Sequence, residues 1–122
     1  MISHLIRIGL LAVVCATSAA TTATARTVFD GNWSVLIVTQ RGDCDRAYRY
    51  GVQILNGVVS YDGGMVNLVG RVSANGAVRV IVSAAQGQAV GQGRLSRNAG
   101  QGSWNGRNST GVCSGYWTAE RR

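Results

Sequence analysis

The chain has 122 residues, of which twelve are basic and five acidic, so its formal net charge is +7. It contains no lysine and no proline, and its one histidine is His4. A chain of this length accommodates one small domain, and the lack of lysine excludes Schiff-base and Ser–Lys mechanisms.

Residues 1–25 have the pattern of a secretory signal peptide. A short basic region ending at Arg7 precedes an apolar run, residues 8–16, that is too short to span a bilayer. The small-x-small pattern that ends at Ala25 is typical of a signal-peptidase site. We therefore expect an exported protein, periplasmic or extracellular, that is cleaved near Ala25.

The mature chain is then a single domain, residues 26–122, without a transmembrane segment. Loss of Arg7 leaves eleven arginines against five acidic residues, a net charge of +6. A lipoprotein anchor on Cys15 is the alternative, but Val14 is bulkier than the small residue that lipoprotein signals carry at that position.

Apolar residues of the mature chain recur with a period of two, which predicts strands. The first predicted strand spans residues 31–40, and the second, residues 47–55, leads into Asn56-Gly57. This dipeptide predicts a type I′ hairpin that places Ile54 opposite Val59 on the inward face.

The chain then continues as short strands between glycine-containing turns. A three-residue loop ending at Gly76 places Val72 opposite Val78. Further turns are predicted at Gln86-Gly87 and at residues 98–100. About eight short, evenly spaced strands result, which predicts an all-β antiparallel up-and-down meander.

We expect this meander to close into a small barrel, because an open sheet leaves two exposed edges. The last strand, residues 112–120, carries Tyr116 and Trp117 on opposite faces. Cys44 follows the first strand and Cys113 lies at the start of the last, and they are the two cysteines left after export. In an oxidising compartment they predict one disulfide that joins these two strands at one end of the barrel.

The inward faces carry the aromatic residues that form the candidate ligand-binding set, Tyr48, Tyr50, Tyr61 and Trp104. Small inward residues, Ala89, Gly91 and Gly93, either leave a cavity facing these rings or make room for them. With strands this short, the sequence favours a filled interior.

Arginine-rich composition suggests anionic partners such as lipopolysaccharide or an acidic envelope polysaccharide, or simply a polar outer face. The corner after the first strand concentrates Arg41, Arg46 and Arg49, which we take as the candidate basic patch. It also contains Arg41-Gly42-Asp43, an adhesion-type tripeptide that we interpret first as a structural corner. Inward tyrosines argue against nucleic acid as a partner, because base stacking needs exposed rings.

Two resemblances accompany these patterns. Gly31-Asn32-Trp33 resembles the G-x-W opening of lipocalin-like and other calycin barrels, which implies that Arg121 or Arg122 packs on the tryptophan. The mature chain also resembles small exported proteins of Gram-negative bacteria without an assigned activity, some of them labelled as haem utilisation or adhesion proteins. That label implies no catalytic residues, and the mature chain offers haem iron no histidine, only Met65, tyrosines or a free cysteine.

The inventory of reactive groups argues against an enzyme. Without histidine or lysine after residue 25, paired carboxylates are the remaining route to acid–base chemistry. Asp43 and Asp45 lie among arginines, which does not suit a general acid. No metal site or cofactor is predicted. We therefore predict a non-enzymatic barrel that binds a small apolar ligand inside; the alternative is a surface interaction or adhesion protein that uses an arginine-rich face or the Arg41-Gly42-Asp43 loop.

Overall fold

The computed structural model describes residues 26–122, which form a closed antiparallel barrel of eight strands in chain order. The strands are β1 Gly31–Arg41, β2 Ala47–Leu55, β3 Val58–Ser60, β4 Asn67–Val72, β5 Ala77–Ala84, β6 Gly87–Leu95, β7 Ala99–Asn108 and β8 Gly111–Arg121. Strands β1 and β8 pair from Trp33 opposite Arg121 to Arg41 opposite Ser114, which closes the sheet. The predicted all-β closed barrel is confirmed. The predicted signal peptide, residues 1–25, lies outside the described residues.

Residues in the turns set the register of two strand pairs, β2 with β3 and β4 with β5. Asn56 and Gly57 have φ values of 53° and 77°, as a type I′ turn requires, and Ile54 lies opposite Val59. Gly76 has a φ of 90° at the end of the β4–β5 loop. Val72 and Val78 therefore face each other as predicted, and both are buried.

Two other predicted turns are displaced by packing. The β6–β7 connection lies before residue 99, and Gly100 is a strand residue opposite Leu95. A Cβ at Gly100 would overlap the Leu95 side chain, so this glycine provides space and not a turn conformation. The β5–β6 turn likewise lies one residue earlier than predicted, because Gly87 already pairs with Ala84.

Strand β3 is the shortest of the eight, with three residues. Its pairing with β2 stops at Gln53 opposite Ser60, and the chain then leaves the sheet between Tyr61 and Val66. In this loop Gly63 packs against the Tyr61 ring so closely that any Cβ there would overlap it. The loop therefore lies over an inward tyrosine at one end of the barrel.

The Cys44–Cys113 disulfide joins the β1–β2 corner to the start of β8, across 69 residues of sequence. The Cα atoms of the two cysteines are 6.1 Å apart, and Cys113 is almost fully buried. A bulge between Thr39 and Arg41 in β1 bends this corner, and the Thr39 hydroxyl donates a hydrogen bond to the Asp45 carbonyl oxygen at 2.6 Å. The predicted disulfide and its place at the first corner are confirmed.

Candidate ligand-binding cavity

The two ends of the barrel differ. At the end where β1 begins, the buried side chains form one continuous core: Phe29, Trp33, Val52, Ile54, Val59, Val72, Val78, Leu95, Trp117 and Ala119. At the disulfide end, the inward residues of β2, β5 and β6 are only half-buried or exposed. The interior of the barrel is therefore closed at the end where β1 begins and open at the disulfide end.

The closed end is sealed by the segment that precedes β1. The Trp33 indole Nε1 donates a hydrogen bond to the Phe29 carbonyl oxygen at 2.8 Å, and both residues are buried. The Asp30 carboxylate accepts hydrogen bonds from the backbone N–H groups of Asn56 and Gly57, at 2.7 and 3.2 Å. This segment is thereby held against the β2–β3 turn as a plug.

Arg121 completes the seal. Its guanidinium carbon lies 4.8 Å from the centre of the Trp33 ring. Its nitrogens donate hydrogen bonds to the carbonyl oxygens of Val28, Asp30 and Arg97, at 2.6, 2.6 and 3.0 Å. The contact implied by the calycin resemblance is thus made by Arg121 and not by Arg122.

Above this core lies a cavity of about 470 Å³ that opens toward the disulfide end. Aliphatic and aromatic side chains form most of its wall, including Val35, Ile37, Tyr50, Leu68, Val80, Val82, Trp104 and Trp117. Its mouth is polar, with Asp43, Asp45 and Arg107 among the lining residues. The volume falls within the range of about 300–1,000 Å³ that is usual for small-molecule sites.

The structure corrects the expectation of a filled interior. The inward glycines do make room for a ring, that of Trp117: a Cβ at Gly93 or at Gly102 would lie 2.6 Å from its indole and closer still to a carbonyl oxygen of the paired strand. At Gly91 a Cβ would meet the same indole only at 3.7 Å, an ordinary contact. The interior is therefore not filled, because the four aromatic residues, Tyr48, Tyr50, Tyr61 and Trp104, lie along the cavity wall.

All four aromatic residues of the predicted ligand-binding set line this cavity. The Tyr50 ring lies 5.8 Å from the Tyr48 ring and 5.4 Å from the Tyr61 ring, edge-on to the latter. On the opposite side, the Trp104 Nε1 donates a hydrogen bond to the Val38 carbonyl oxygen at 3.0 Å. The three tyrosines thus form a continuous aromatic strip from the mouth inward, and Trp104 is fixed against β1.

The hydroxyl groups of Tyr48 and Tyr50 are in different environments. Tyr48 donates a hydrogen bond to the Asp45 carboxylate at 2.5 Å, and this bond, with burial adding to it, raises the pKa of Tyr48 to about 12. Burial, followed by the nearby Tyr61 and Asp45, raises the pKa of Tyr50. Both phenols are therefore neutral hydrogen-bonding groups at physiological pH.

Trp117 is a cavity residue that the sequence prediction did not assign to the site. The strand alternation placed it opposite Tyr116 without deciding which of them faces inward. The register decides it, because Trp117 lies opposite Gly102 and Ile37, whereas Tyr116 is exposed. Ala119, two residues further along the same face of β8, is also buried.

The candidate basic patch, Arg41, Arg46 and Arg49, is exposed at the first corner and does not line the cavity. Arg49 points outward from β2, where its Nη1 donates a hydrogen bond to the Ser34 hydroxyl at 3.0 Å. Gly42 has a φ of 94°, and a Cβ there would lie 2.7 Å from the Cys113 sulfur. The glycine of the RGD tripeptide therefore has a structural role beside the disulfide.

Within residues 26–122, no group of three or more histidine, cysteine, aspartate or glutamate side chains lies close enough to hold a metal ion. The same part of the chain contains no helix that is long and apolar enough to cross a membrane.

No protein-family model matches this chain. Searches among curated proteins and among solved structures likewise find no match.

Proposed function

We propose that this protein is a non-enzymatic barrel that binds one small apolar or amphipathic ligand in its cavity. The observation that carries the proposal is the cavity of about 470 Å³, closed at the Trp33 end and open at the tyrosine end. A site with this shape takes a ligand lengthwise, with its apolar part at Trp117 and its polar end at the mouth.

The chemistry of the wall supports an apolar ligand body. Burying apolar surface contributes roughly 25 cal/mol per Å², and the deep wall offers valine, isoleucine, leucine and tryptophan side chains. The tyrosine strip contributes flat apolar area together with hydroxyl groups near the mouth. A ligand with one polar end satisfies both parts of the site.

The groups available for catalysis support a binding role. Residues 26–122 contain no histidine and no lysine, and the carboxylates at the cavity, Asp43 and Asp45, lie at its solvent-exposed mouth. A general acid or base deep in the cavity would need a titratable side chain among the aliphatic residues there. We propose that the protein works after export, in the periplasm or outside the cell, which agrees with its disulfide.

Binding of a neutral fluorescent dye, N-phenyl-1-naphthylamine, tests the proposal. A Gly91→Leu variant places a side chain in the cavity, and we expect its dye affinity to fall by about tenfold or more. Gln92→Leu is the matched control, because it adds a leucine at the next residue of β6, on the exposed face.

Native mass spectrometry of protein purified from its own host provides a second measurement. We expect a retained small molecule that is absent from the Gly91→Leu variant. If the unmodified protein retains nothing and binds no dye, the cavity is not a ligand site and the proposal is withdrawn.

A further inference from the structure

The positive charge is distributed unevenly around the barrel. Residues 63–119, which include β4 to β7 and most of β8, contain five arginines and no acidic residue. The acidic residues of the chain all lie elsewhere, at Asp30, Asp43, Asp45, Asp62 and Glu120. One side of the barrel is therefore basic without carboxylates among its own strands.

Two of these arginines face each other directly. Arg71 of β4 is the cross-strand partner of Arg79 of β5, and both side chains are exposed on the outer face. Like charges opposite each other destabilise a sheet, and neither neighbouring strand supplies a carboxylate beside them. An anionic group bound between the two guanidinium groups would remove this repulsion.

Exposed aliphatic side chains surround the arginine pair. Leu55 pairs with Val58, and Val58 pairs with Arg71 in the next strand. Two residue pairs further along β4 and β5, and so on the same face as the arginines, Val69 lies opposite Ile81. These four aliphatic side chains are 40–61% exposed. We call the six residues the basic–apolar face: Leu55, Val58, Val69, Arg71, Arg79 and Ile81.

We propose that the basic–apolar face docks on the surface of an anionic lipid bilayer. The two guanidinium groups contact headgroup phosphates, and the aliphatic side chains enter the boundary between headgroups and acyl chains. Charge complementarity selects the anionic surface. The aliphatic side chains select a lipid over a polysaccharide or a nucleic acid, since those polymers offer no apolar phase and base stacking needs aromatic rings, which this face lacks.

The face is on the outside of β2 to β5, and its six residues are absent from the cavity wall. Docking on a bilayer and binding inside the cavity are therefore separable properties. A protein that fails to bind vesicles would still bind a cavity ligand, and the reverse also holds.

Co-sedimentation of the exported, purified protein with lipid vesicles tests the proposal. We expect binding to vesicles of phosphatidylcholine and phosphatidylglycerol, weakening as salt is raised, and little binding to phosphatidylcholine alone. The double variant Arg71→Gln/Arg79→Gln should lose about 30-fold in partition coefficient, because each basic side chain at an anionic surface contributes about fivefold.

Arg46→Gln/Arg49→Gln is the matched control, since it removes the same charge from exposed positions at the β1–β2 corner and the start of β2, outside the basic–apolar face. It should retain most of the binding. An equal loss in both double variants would mean that net charge and not this face attracts the vesicles, and would overturn the proposal.

A separate pair of variants tests the contribution of the aliphatic side chains of the basic–apolar face. Val69→Ser/Ile81→Ser should lower vesicle binding by about tenfold, because less apolar surface enters the bilayer. Val112→Ser, at an exposed valine of β8, should leave it unchanged. Full binding by the Val69→Ser/Ile81→Ser variant, together with retention on immobilised heparin that depends on Arg71 and Arg79, would replace the lipid with a polyanion as the partner.

Discussion

The guanidinium group of Arg121 lies over the Trp33 ring, 4.8 Å from its centre, and joins the end of the last strand to the start of the first. The same group donates three hydrogen bonds to backbone carbonyl oxygens, two of which belong to the plug before β1. One side chain therefore connects the end of β8, the plug and the floor of the cavity.

We predict that Arg121→Met destabilises the protein by about 2–4 kcal/mol. The variant loses charge-assisted hydrogen bonds and the contact with the indole while keeping some apolar cover. Urea unfolding monitored by tryptophan fluorescence measures the change. Arg122→Met is the control, because the Arg122 side chain is exposed, and it should change the free energy of unfolding by no more than about 0.5 kcal/mol. Equal effects of the two variants would contradict the assigned role of Arg121.

The disulfide should be a major source of stability. In the chain-entropy model a crosslink across 69 residues contributes on the order of 4 kcal/mol, comparable with the stability of many small domains. We expect Cys44→Ala/Cys113→Ala to lose stability of this order in urea unfolding. Unfolding of the unmodified protein under reducing conditions should give a similar loss, and a loss below about 1 kcal/mol would show that the barrel closes without its covalent link.

Glycines beside Trp117 should differ in their tolerance of a methyl group. A Cβ at Gly102 would lie 2.1 Å from the Gln92 carbonyl oxygen and 2.6 Å from the indole, so Gly102→Ala should destabilise the barrel by about 1–3 kcal/mol. Gly91→Ala meets the same indole at an ordinary distance and should be neutral or slightly stabilising. Thermal unfolding of the two variants tests this difference, and equal stability of the two variants would contradict it.

Alkaline titration should reveal the Tyr48–Asp45 hydrogen bond. Because the folded-state pKa of Tyr48 is raised to about 12 from an ordinary value of 10.0, its contribution to stability is present below pH 10 and is lost toward pH 12. A titration followed by tyrosinate absorbance should therefore show one phenol that ionises at a higher pH than an ordinary tyrosine. Asp45→Asn should lower the pKa of that phenol. Asp43→Asn, at the same mouth but without this bond, should leave it in place, and an unchanged titration of Asp45→Asn would contradict the assignment.

Acid should reduce the stability that Asp30 contributes by holding the plug against the β2–β3 turn. Hydrogen bonds from the Thr27 hydroxyl, and then from the backbone of Asn56 and Gly57, lower the pKa of Asp30 below its ordinary value of 3.8. A lowered folded-state pKa contributes stability above the unfolded value and loses it as the pH falls through the folded value. The Asp30→Asn variant should therefore have a lower melting temperature than the unmodified protein at neutral pH. This difference in melting temperature should shrink when the pH falls below the ordinary pKa of the carboxyl group. Asp62→Asn, in the exposed β3–β4 loop, is the control.

Strands and turns were predictable because their causes are local. The alternation of apolar residues assigns each strand a face, and Asn56-Gly57 and Gly76 set two hairpin registers through backbone conformation alone. Turns near Gly87 and Gly100 were misplaced because these glycines serve packing across strands, which no local pattern reveals.

The four aromatic residues of the candidate site were predictable for the same reason, since alternation alone turns Tyr48, Tyr50, Tyr61 and Trp104 inward. Trp117 was missed because the strand pattern left its face undecided. Its position depends on the register between β7 and β8, which pairs it with Gly102.

The sequence by itself determined the all-β fold, the closed meander and the disulfide that joins its first and last strands. Tertiary structure alone decided that the barrel is hollow at one end and that Arg71 and Arg79 meet among exposed aliphatic side chains. The physical reason is that strand identity follows from alternation along one chain segment. A cavity and an outer face depend on how side chains from several strands fill or leave the same volume.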